Sequence, residues 1–148
     1  YDFMEGFIAN SKQNDVSNKI VGIDEVERLI DDYENKNSSI PMKDKLDYLR
    51  SANEIAKVRI ISFSLHNESR INAIIREYKS YSQLNPQNYK RFTFCIEYSD
   101  FHPLLQKEEV KLRNFLSEIC PNGATTIIYT ATNSSWNEKV LVTIIASN

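Results

Sequence analysis

The chain is poor in glycine, and this shortage excludes a class of chemistry. Only three glycines occur in 148 residues, Gly6, Gly22 and Gly123, and none belongs to a GxGxxG motif or to a P-loop. A backbone cannot easily form a cradle for phosphate groups without glycines. We therefore expect no nucleotide hydrolysis, no dinucleotide-dependent redox chemistry and no cofactor, and we predict that the protein is not an enzyme.

Cysteine, histidine and long apolar runs are also scarce. The two cysteines, Cys95 and Cys120, do not form a CxxC motif, and the only histidines are His66 and His102. A zinc site of Cys and His ligands is therefore not expected, and no other metal site is predicted. The chain has no apolar run of about 18 residues, so we predict no membrane-spanning helix.

What the chain does contain is typical of a globular domain. Apolar residues make up 41% and charged residues 26% of the sequence. The net charge of −2 predicts no strong attraction to nucleic acid. Residues 1–36 hold nine acidic and four basic side chains, whereas residues 37–148 hold eleven and fourteen. This asymmetry fits an acidic arm on a weakly basic body, although solvated helix faces explain it more simply.

Helical spacing dominates the N-terminal third after an ambiguous stretch of about 22 residues. Residues 24–35 place Val26, Leu29 and Ile30 on one face, and Asp24 suits the start of a helix. A second helix is predicted over 41–57, with Pro41 in its first turn. We predict that residues 1–57 form a helical extension that packs on a domain of residues 58–148.

Strand-like and helix-like patterns alternate from residue 58 onward. In chain order we predict a strand, a helix, a strand, a helix and two strands, over residues 58–65, 68–82, 91–98, 103–119, 124–131 and 139–146. Asn67 is predicted to cap the first of these helices, and the last two strands are predicted to form a hairpin. The fold class is α+β, with a β-α-β-α-β-β order and a mixed four-stranded sheet.

The predicted strands carry apolar side chains on both faces. Phe92, Phe94, Val142 and Ile144 are expected under the two helices that lie between strands, whereas Cys95 alternates to the other face. We expect the N-terminal helices to cover that second face. Cys95 and Cys120 would then lie on opposite sides of the sheet, so two free thiols are favoured over a disulfide.

The stretches CIEYSD (95–100), EEVKLRNFLSEI (108–119) and NEKVLV (137–142) carry a family resemblance. Together with the order of elements, they make residues 58–146 resemble the OmpA-like domain of bacterial envelope proteins. The resemblance implies a non-enzymatic module that binds peptidoglycan or a neighbouring envelope protein, in the periplasm or at the envelope. It implies that Asp100 and Arg113 grip the charged groups of a wall peptide.

Two alternatives of another class stay open. The first is a protein–protein assembly module of a secretion, pilus or phage-type machine. Trp136 would be a contact residue of this module if it is exposed, whereas it would be a packing residue if it folds back on the sheet. The second is single-stranded RNA binding through residues 76–94, where basic and aromatic side chains interleave, although core aromatics are the favoured interpretation. A cytoplasmic location is the alternative to the envelope.

Two weaker constellations have plainer interpretations. His102 with Asp100 could form a general base and its orienting carboxylate, but no nucleophile is spaced to serve it. His66 and His102 are therefore predicted to be polar loop residues. Glu108 and Glu109 are adjacent on a helix and point in different directions, so paired carboxylate chemistry is not expected.

Overall fold

A computed structural model describes residues 16–34 and 47–148, which form a mixed sheet with helices on both faces. The strands of this sheet are β1 (Val16–Val21), β2 (Ile55–Ile61), β3 (Arg91–Tyr98), β4 (Thr125–Thr132) and β5 (Leu141–Ser147). The α-helices of the described residues are α1 (Val26–Glu34), α2 (Arg70–Tyr81) and α3 (Gln106–Ile119). The predicted α+β class with a mixed sheet is confirmed.

The strands lie in the order β1-β2-β5-β3-β4. All neighbours are antiparallel except β3 and β4, which are parallel. The predicted hairpin of the last two strands is therefore wrong, because β5 lies between β2 and β3. All seven residues of β5 are buried, which suits a central strand, whereas β4 carries four threonines and forms an edge.

The predicted strand count of four is also wrong, because the described sheet has five strands. The additional strand is β1, which lies in a stretch that the sequence analysis treated as an ambiguous polar segment. Its Ser17, Asn18 and Lys19 hide the strand pattern, but polar residues are tolerated where an edge strand faces water. Val16 and Val21 are its buried residues, and they join the cores on the two faces of the sheet.

The second N-terminal helix is not found in the described part of its predicted range. Residues 41–46 lie outside the described residues, Asp47–Ser51 form a short 3-10 helix, and β2 begins at Ile55. The alternating buried residues Ala56, Val58 and Ile60 pair with strands on both sides, and this tertiary pairing overrides the helical spacing. The boundary predicted between residues 57 and 58 falls within β2.

Helices α2 and α3 pack on one face of the sheet, as predicted. Their inward residues, such as Ile74 and Leu112, meet a buried row that includes Phe92, Phe94 and Ile144. Tyr78 of α2 and Phe115 of α3 pack edge to face, with ring centroids 5.5 Å apart. Burying each large apolar side chain contributes about 1.5–3 kcal/mol, so this face holds the two helices firmly.

The opposite face carries a smaller core made with α1 and the 3-10 helix. Leu29, Ile30 and Leu49 pack there with Cys95 and Ile145 of the sheet. The predicted three layers are therefore present, with a 3-10 helix in the described part of the second helical segment. Cys120 packs against the core of the α2–α3 face, so the two cysteines lie on opposite sides of the sheet and form no disulfide, as predicted.

Candidate functional site

One edge of the sheet collects the loops that follow three strands. Because β5 is antiparallel to β2 and β3, and β4 is parallel to β3, the strands β2, β3 and β4 run in the same direction. Their last residues, Ile61, Tyr98 and Thr132, therefore lie at one edge, which we call the carboxyl edge. In open sheets built from strands and helices, ligands bind at this edge.

Two of these loops expose large apolar side chains. Phe63 and Leu65 lie in the loop after β2, and Phe101 and Leu105 lie in the loop after β3. Phe101 is 80% exposed, and the other three are between 45% and 55% exposed. We call these four residues the apolar patch. They are four of the six large apolar residues that are most exposed in the described chain, and exposed apolar side chains on neighbouring loops are typical of interaction surfaces.

Arg70, the first residue of α2, connects the loops of the carboxyl edge. Its guanidinium donates two hydrogen bonds of 2.8 Å to the Glu108 carboxylate, in the paired geometry that makes arginine–carboxylate contacts strong. It also donates to the backbone carbonyl groups of His102 (3.0 Å), Pro103 (2.9 Å) and Glu138 (3.1 Å). One side chain thus joins α2, the loop after β3, α3 and the loop before β5.

A second arginine fixes the loop after β2. Arg76 donates hydrogen bonds of 2.9 and 3.0 Å to the Glu68 carboxylate and one of 2.7 Å to the carbonyl oxygen of Phe63. Glu68 in turn accepts a hydrogen bond of 2.9 Å from the backbone of Leu65. The backbone of both apolar residues in this loop is therefore held in place.

The electrostatics of the two arginine clamps agree with their geometry. Hydrogen bonds from Arg70 hold the pKa of Glu108 below its ordinary value, and those from Arg76 lower the pKa of Glu68 in the same way. Both carboxylates are therefore charged near neutral pH. Both clamps are therefore ion pairs between oppositely charged side chains, and each charge is paired within the fold.

An open cleft lies between the loops after β2 and before β5. It has a volume of about 400 Å³ and is lined by Ser62, Phe63, Ser64, Arg70, Glu138 and Lys139. Ser62 is fixed to Val140 by two hydrogen bonds of 2.9 Å, one from the Ser62 backbone N–H to the Val140 carbonyl and one from the Val140 backbone N–H to the Ser62 hydroxyl. No group of three metal-ligating side chains occurs in the part of the chain that the structure describes.

Asp100 and Arg113 lie at different places in the structure. Asp100 is exposed in the turn after β3, at the carboxyl edge. Arg113 lies on α3 and pairs with Glu109 at 3.0 Å, with both side chains 41% exposed. Among the described residues, no ion pair or hydrogen bond joins Asp100 to Arg113. Ligand binding by this pair stays a prediction.

Trp136 lies in a 3-10 helix between β4 and β5 and is half-buried. Its indole Nε1 donates a hydrogen bond of 3.3 Å to the carboxylate of the buried Glu97, near the end of β3. The ring therefore folds back towards the sheet, which fits the packing alternative. Its role as a protein contact stays a prediction.

His66 and His102 are both exposed in loops, in agreement with the plainer interpretation of the sequence. His102 takes part through its backbone, which donates to the carbonyl of Ser99 at 3.0 Å and accepts from Arg70. Glu108 and Glu109 also have separate partners, since Glu108 binds Arg70 and Glu109 binds Arg113.

The aromatic residues of the segment 76–94 lie in or against the core rather than on an open surface. Tyr89 and Phe92 are buried, and Tyr78 and Tyr81 pack against the same core. Stacking on nucleic-acid bases needs exposed rings, which these four residues do not offer. Single-strand RNA binding stays a prediction that this placement does not support.

The apolar patch and its clamps are not predicted from the sequence. The strand predicted over 58–65 includes Phe63 and Leu65, but β2 ends at Ile61 and both residues are exposed in the loop that follows. The available signal was the run SFSLHNES, in which serines and an asparagine flank apolar residues, as in a loop. No sequence signal identifies Arg70, because its partners are mostly backbone groups that only the fold brings together.

No protein-family model matches this chain, and no curated protein matches it. Matching solved structures include an FtsZ dimer from M. jannaschii, with 13% identity and a TM-score of 0.46, over 61% of this chain and 26% of that one. An FtsZ point mutant from the same organism matches with 12% identity and a TM-score of 0.47, over 61% of this chain and 27% of that one. This chain thus spans about a quarter of the FtsZ chains it matches, and similarity at this level carries no functional argument.

These comparisons overturn the resemblance drawn from the sequence. The matched structures are FtsZ chains rather than OmpA-like domains, and no family model supports residues 58–146 as an OmpA-like domain. The resemblance relied on a general order of strands and helices and on short degenerate motifs. Such an order is shared by many unrelated sheets, and here the sheet gains β1 and places β5 at its centre.

The described residues contain no helix that is both long enough and apolar enough to cross a bilayer.

Proposed function

We propose that this chain is a non-enzymatic protein-binding module that docks a partner protein on the apolar patch. One observation carries this proposal. Phe63, Leu65, Phe101 and Leu105 are exposed together on two loops of one sheet edge. Water contact with large apolar side chains is unfavourable, so covering the patch lowers the free energy of the complex.

The character of the carboxyl edge favours a protein over a small charged ligand. The guanidinium of Arg70 is already bound to a carboxylate and to backbone carbonyl groups. A charged ligand would have to break these bonds to reach it. The apolar side chains, by contrast, are available to a partner that presents an apolar surface, as aromatic anchors of protein interfaces are.

The proposal belongs with the assembly-module alternative of the sequence analysis. Envelope binding was drawn from the OmpA-like resemblance, and that resemblance is overturned. The partner is therefore described by its chemistry alone, as a protein with an exposed apolar surface.

The test places a photo-crosslinking amino acid at position 101 in the full chain, in cells of its source. The matched control carries the same group at Ile20, which is 63% exposed but lies on β1 beside Ala56, at the opposite edge of the sheet. We expect one protein to be crosslinked from position 101 and not from position 20. The identified partner is then purified, and its affinity is measured with Phe101→Asp and with Ile20→Asp.

We expect Phe101→Asp to weaken binding by about 2 kcal/mol or more, which is roughly a thirtyfold loss of affinity. Ile20→Asp should leave the affinity unchanged. Equal loss in both variants would contradict the proposal, as would a purified partner that binds Phe101→Asp normally. A crosslink from position 101 to the chain's own residues would also contradict it, because the patch would then be covered by the same molecule.

A further inference from the structure

Strand β4 is bound on one side only in the described part of the chain. It pairs with β3 along its whole length and is the last strand of the sheet. Two hydrogen bonds fix which of its backbone groups face β3. The backbone of Thr125 donates to the carbonyl of Lys90, and the backbone of Asn133 donates to the carbonyl of Tyr98, both at 2.9 Å.

In a parallel pair, the backbone groups of a strand alternate between the two sides. Because Thr125 and Asn133 both donate to β3, the odd-numbered residues of β4 face the sheet. The N–H and C=O groups of Thr126, Ile128, Thr130 and Thr132 therefore point outward. Over residues 16–34 and 47–148, no hydrogen bond from another element reaches these four backbones.

The composition of β4 offers no protection against pairing with another strand. TTIIYTAT contains no charge, no proline and no glycine, and six of its eight residues are β-branched. Native edge strands are commonly protected by charges, proline or covering loops. The outer strand on the other side of the sheet, β1, has such protection. It carries the charged Lys19, and its Asn18 side chain forms hydrogen bonds with the backbone of Tyr81 and Gln83.

The cores on both faces reach as far as β4. Ile128 packs against the core under α2 and α3, and Ile127 packs against the core on the opposite face. A strand added beyond β4 would therefore meet apolar side chains above and below the sheet.

We infer that β4 pairs antiparallel with β4 of a second copy of this chain. A twofold axis at position 129 sets Ile128 opposite Thr130 and Thr126 opposite Thr132. That register satisfies the outward N–H and C=O groups of all four residues in both copies. Since β4 is uncharged, self-pairing sets no like charges opposite each other, whereas a charged strand would oppose it.

Amide hydrogen exchange of the full chain tests this inference residue by residue. In the dimer, the amides of Thr126, Ile128, Thr130 and Thr132 should be protected, and dilution should remove that protection. The amides of Thr125 and the other odd-numbered residues should stay protected throughout. Protection of the even-numbered amides in a monomer would overturn the inference, because the chain itself would then cover the edge.

Sedimentation of matched variants supplies the second measurement. Thr130→Pro removes an outward N–H that makes no bond to β3, and proline is tolerated at such edge positions. Thr130→Val keeps the N–H and the β-branched shape. Each lost bond leaves a carbonyl unpaired and costs about tenfold in affinity, and the symmetry doubles the loss, so Thr130→Pro should weaken the dimer roughly a hundredfold.

Thr130→Val should dimerise as the unaltered chain does, and circular dichroism should show both variants folded. A monomer at every concentration would overturn the inference. So would a dimer that Thr130→Pro leaves unchanged, or one that Phe101→Asp abolishes, because the contact would then lie elsewhere. The result for β4 is independent of whether a partner docks on the apolar patch.

Discussion

Replacing Arg70 with methionine should destabilise the protein more than any comparable surface change. Methionine fills much of the same volume but cannot donate a hydrogen bond. The substitution removes two bonds to the Glu108 carboxylate and three to the carbonyl groups of His102, Pro103 and Glu138. Four acceptor groups on three different elements, α3, the loop after β3 and the loop before β5, lose a partner in one step.

The size of the effect follows from burial. The Arg70 and Glu108 side chains are only 14% and 15% exposed, so water restores little of the lost ion pair, whereas it can reach the three exposed carbonyl groups. Removing one member of a buried ion pair costs about 3–5 kcal/mol. Because the pair keeps some contact with water, we take the lower end, about 3 kcal/mol. With a urea slope of about 2 kcal/mol/M, the unfolding midpoint should fall by roughly 1.5 M.

The assay is urea unfolding followed by circular dichroism, with Arg113→Met as the control. Arg113 also pairs with a glutamate through its guanidinium, but both side chains are 41% exposed. An exposed pair of this spacing contributes about 0.3–0.5 kcal/mol, so the control should lose little. If Arg70→Met and Arg113→Met lowered stability equally, the argument from burial would be refuted.

Two pH dependences follow from the pKa shifts. The lowered pKa of Glu108 contributes stability that is fully present above its ordinary pKa of 4.5 and is lost as the pH falls through its pKa in the folded protein. The difference in unfolding free energy between the unaltered chain and Glu108→Gln should therefore shrink in acid. Urea unfolding at several pH values measures this difference. Burial, with a hydrogen bond to Glu54, raises the pKa of Tyr89 to about 12, so its stabilising effect should be intact below pH 10 and lost as the pH rises to 12. A tyrosinate absorbance titration compared with Tyr89→Phe should show one group missing near pH 12, and loss of a group near pH 10 instead would contradict this.

The fold could be predicted where periodicity was strong and local. The spacing of α2, α3 and β3 is unambiguous in the sequence, and each was placed within a few residues. Even there, the helix start differs, because α2 is capped by Ser69, whose hydroxyl accepts from the backbone of Asn72 at 3.2 Å. Asn67, the predicted cap, instead has a positive φ of 62° in the preceding turn.

The errors in the fold share one cause, which is that strand order is a tertiary property. The apolar pattern of residues 141–147 fits a strand in a hairpin as well as it fits a central strand. Only the pairing with β2 and β3 decides between these two positions. Likewise, residues 55–57 fit a helix by spacing but become part of β2, where they pair with β1 and β5. Local pattern does not contain this information.

The candidate site was less predictable than the fold. The resemblance proposed Asp100 as a ligand-binding residue, and that role stays a prediction. The exposure of Phe101, by contrast, depends on how the loop after β3 is held. That loop is held by hydrogen bonds from Arg70, which belongs to α2 and lies 31 positions before Phe101 in the chain. A sequence offers no rule that assigns such a contact.

The two arginine clamps indicate that the fold keeps the apolar patch exposed rather than merely tolerating it. A loop with large apolar side chains lowers its free energy by turning them inward, unless its backbone is held in place. Here the carbonyl of Phe63 is bound by Arg76 and those of His102 and Pro103 by Arg70, so collapse would break charged hydrogen bonds. A surface held in its binding geometry also loses less conformational entropy when a partner docks. Arg70→Met should therefore weaken partner binding even where the variant is fully folded, whereas a clamp that serves stability alone would leave that affinity unchanged.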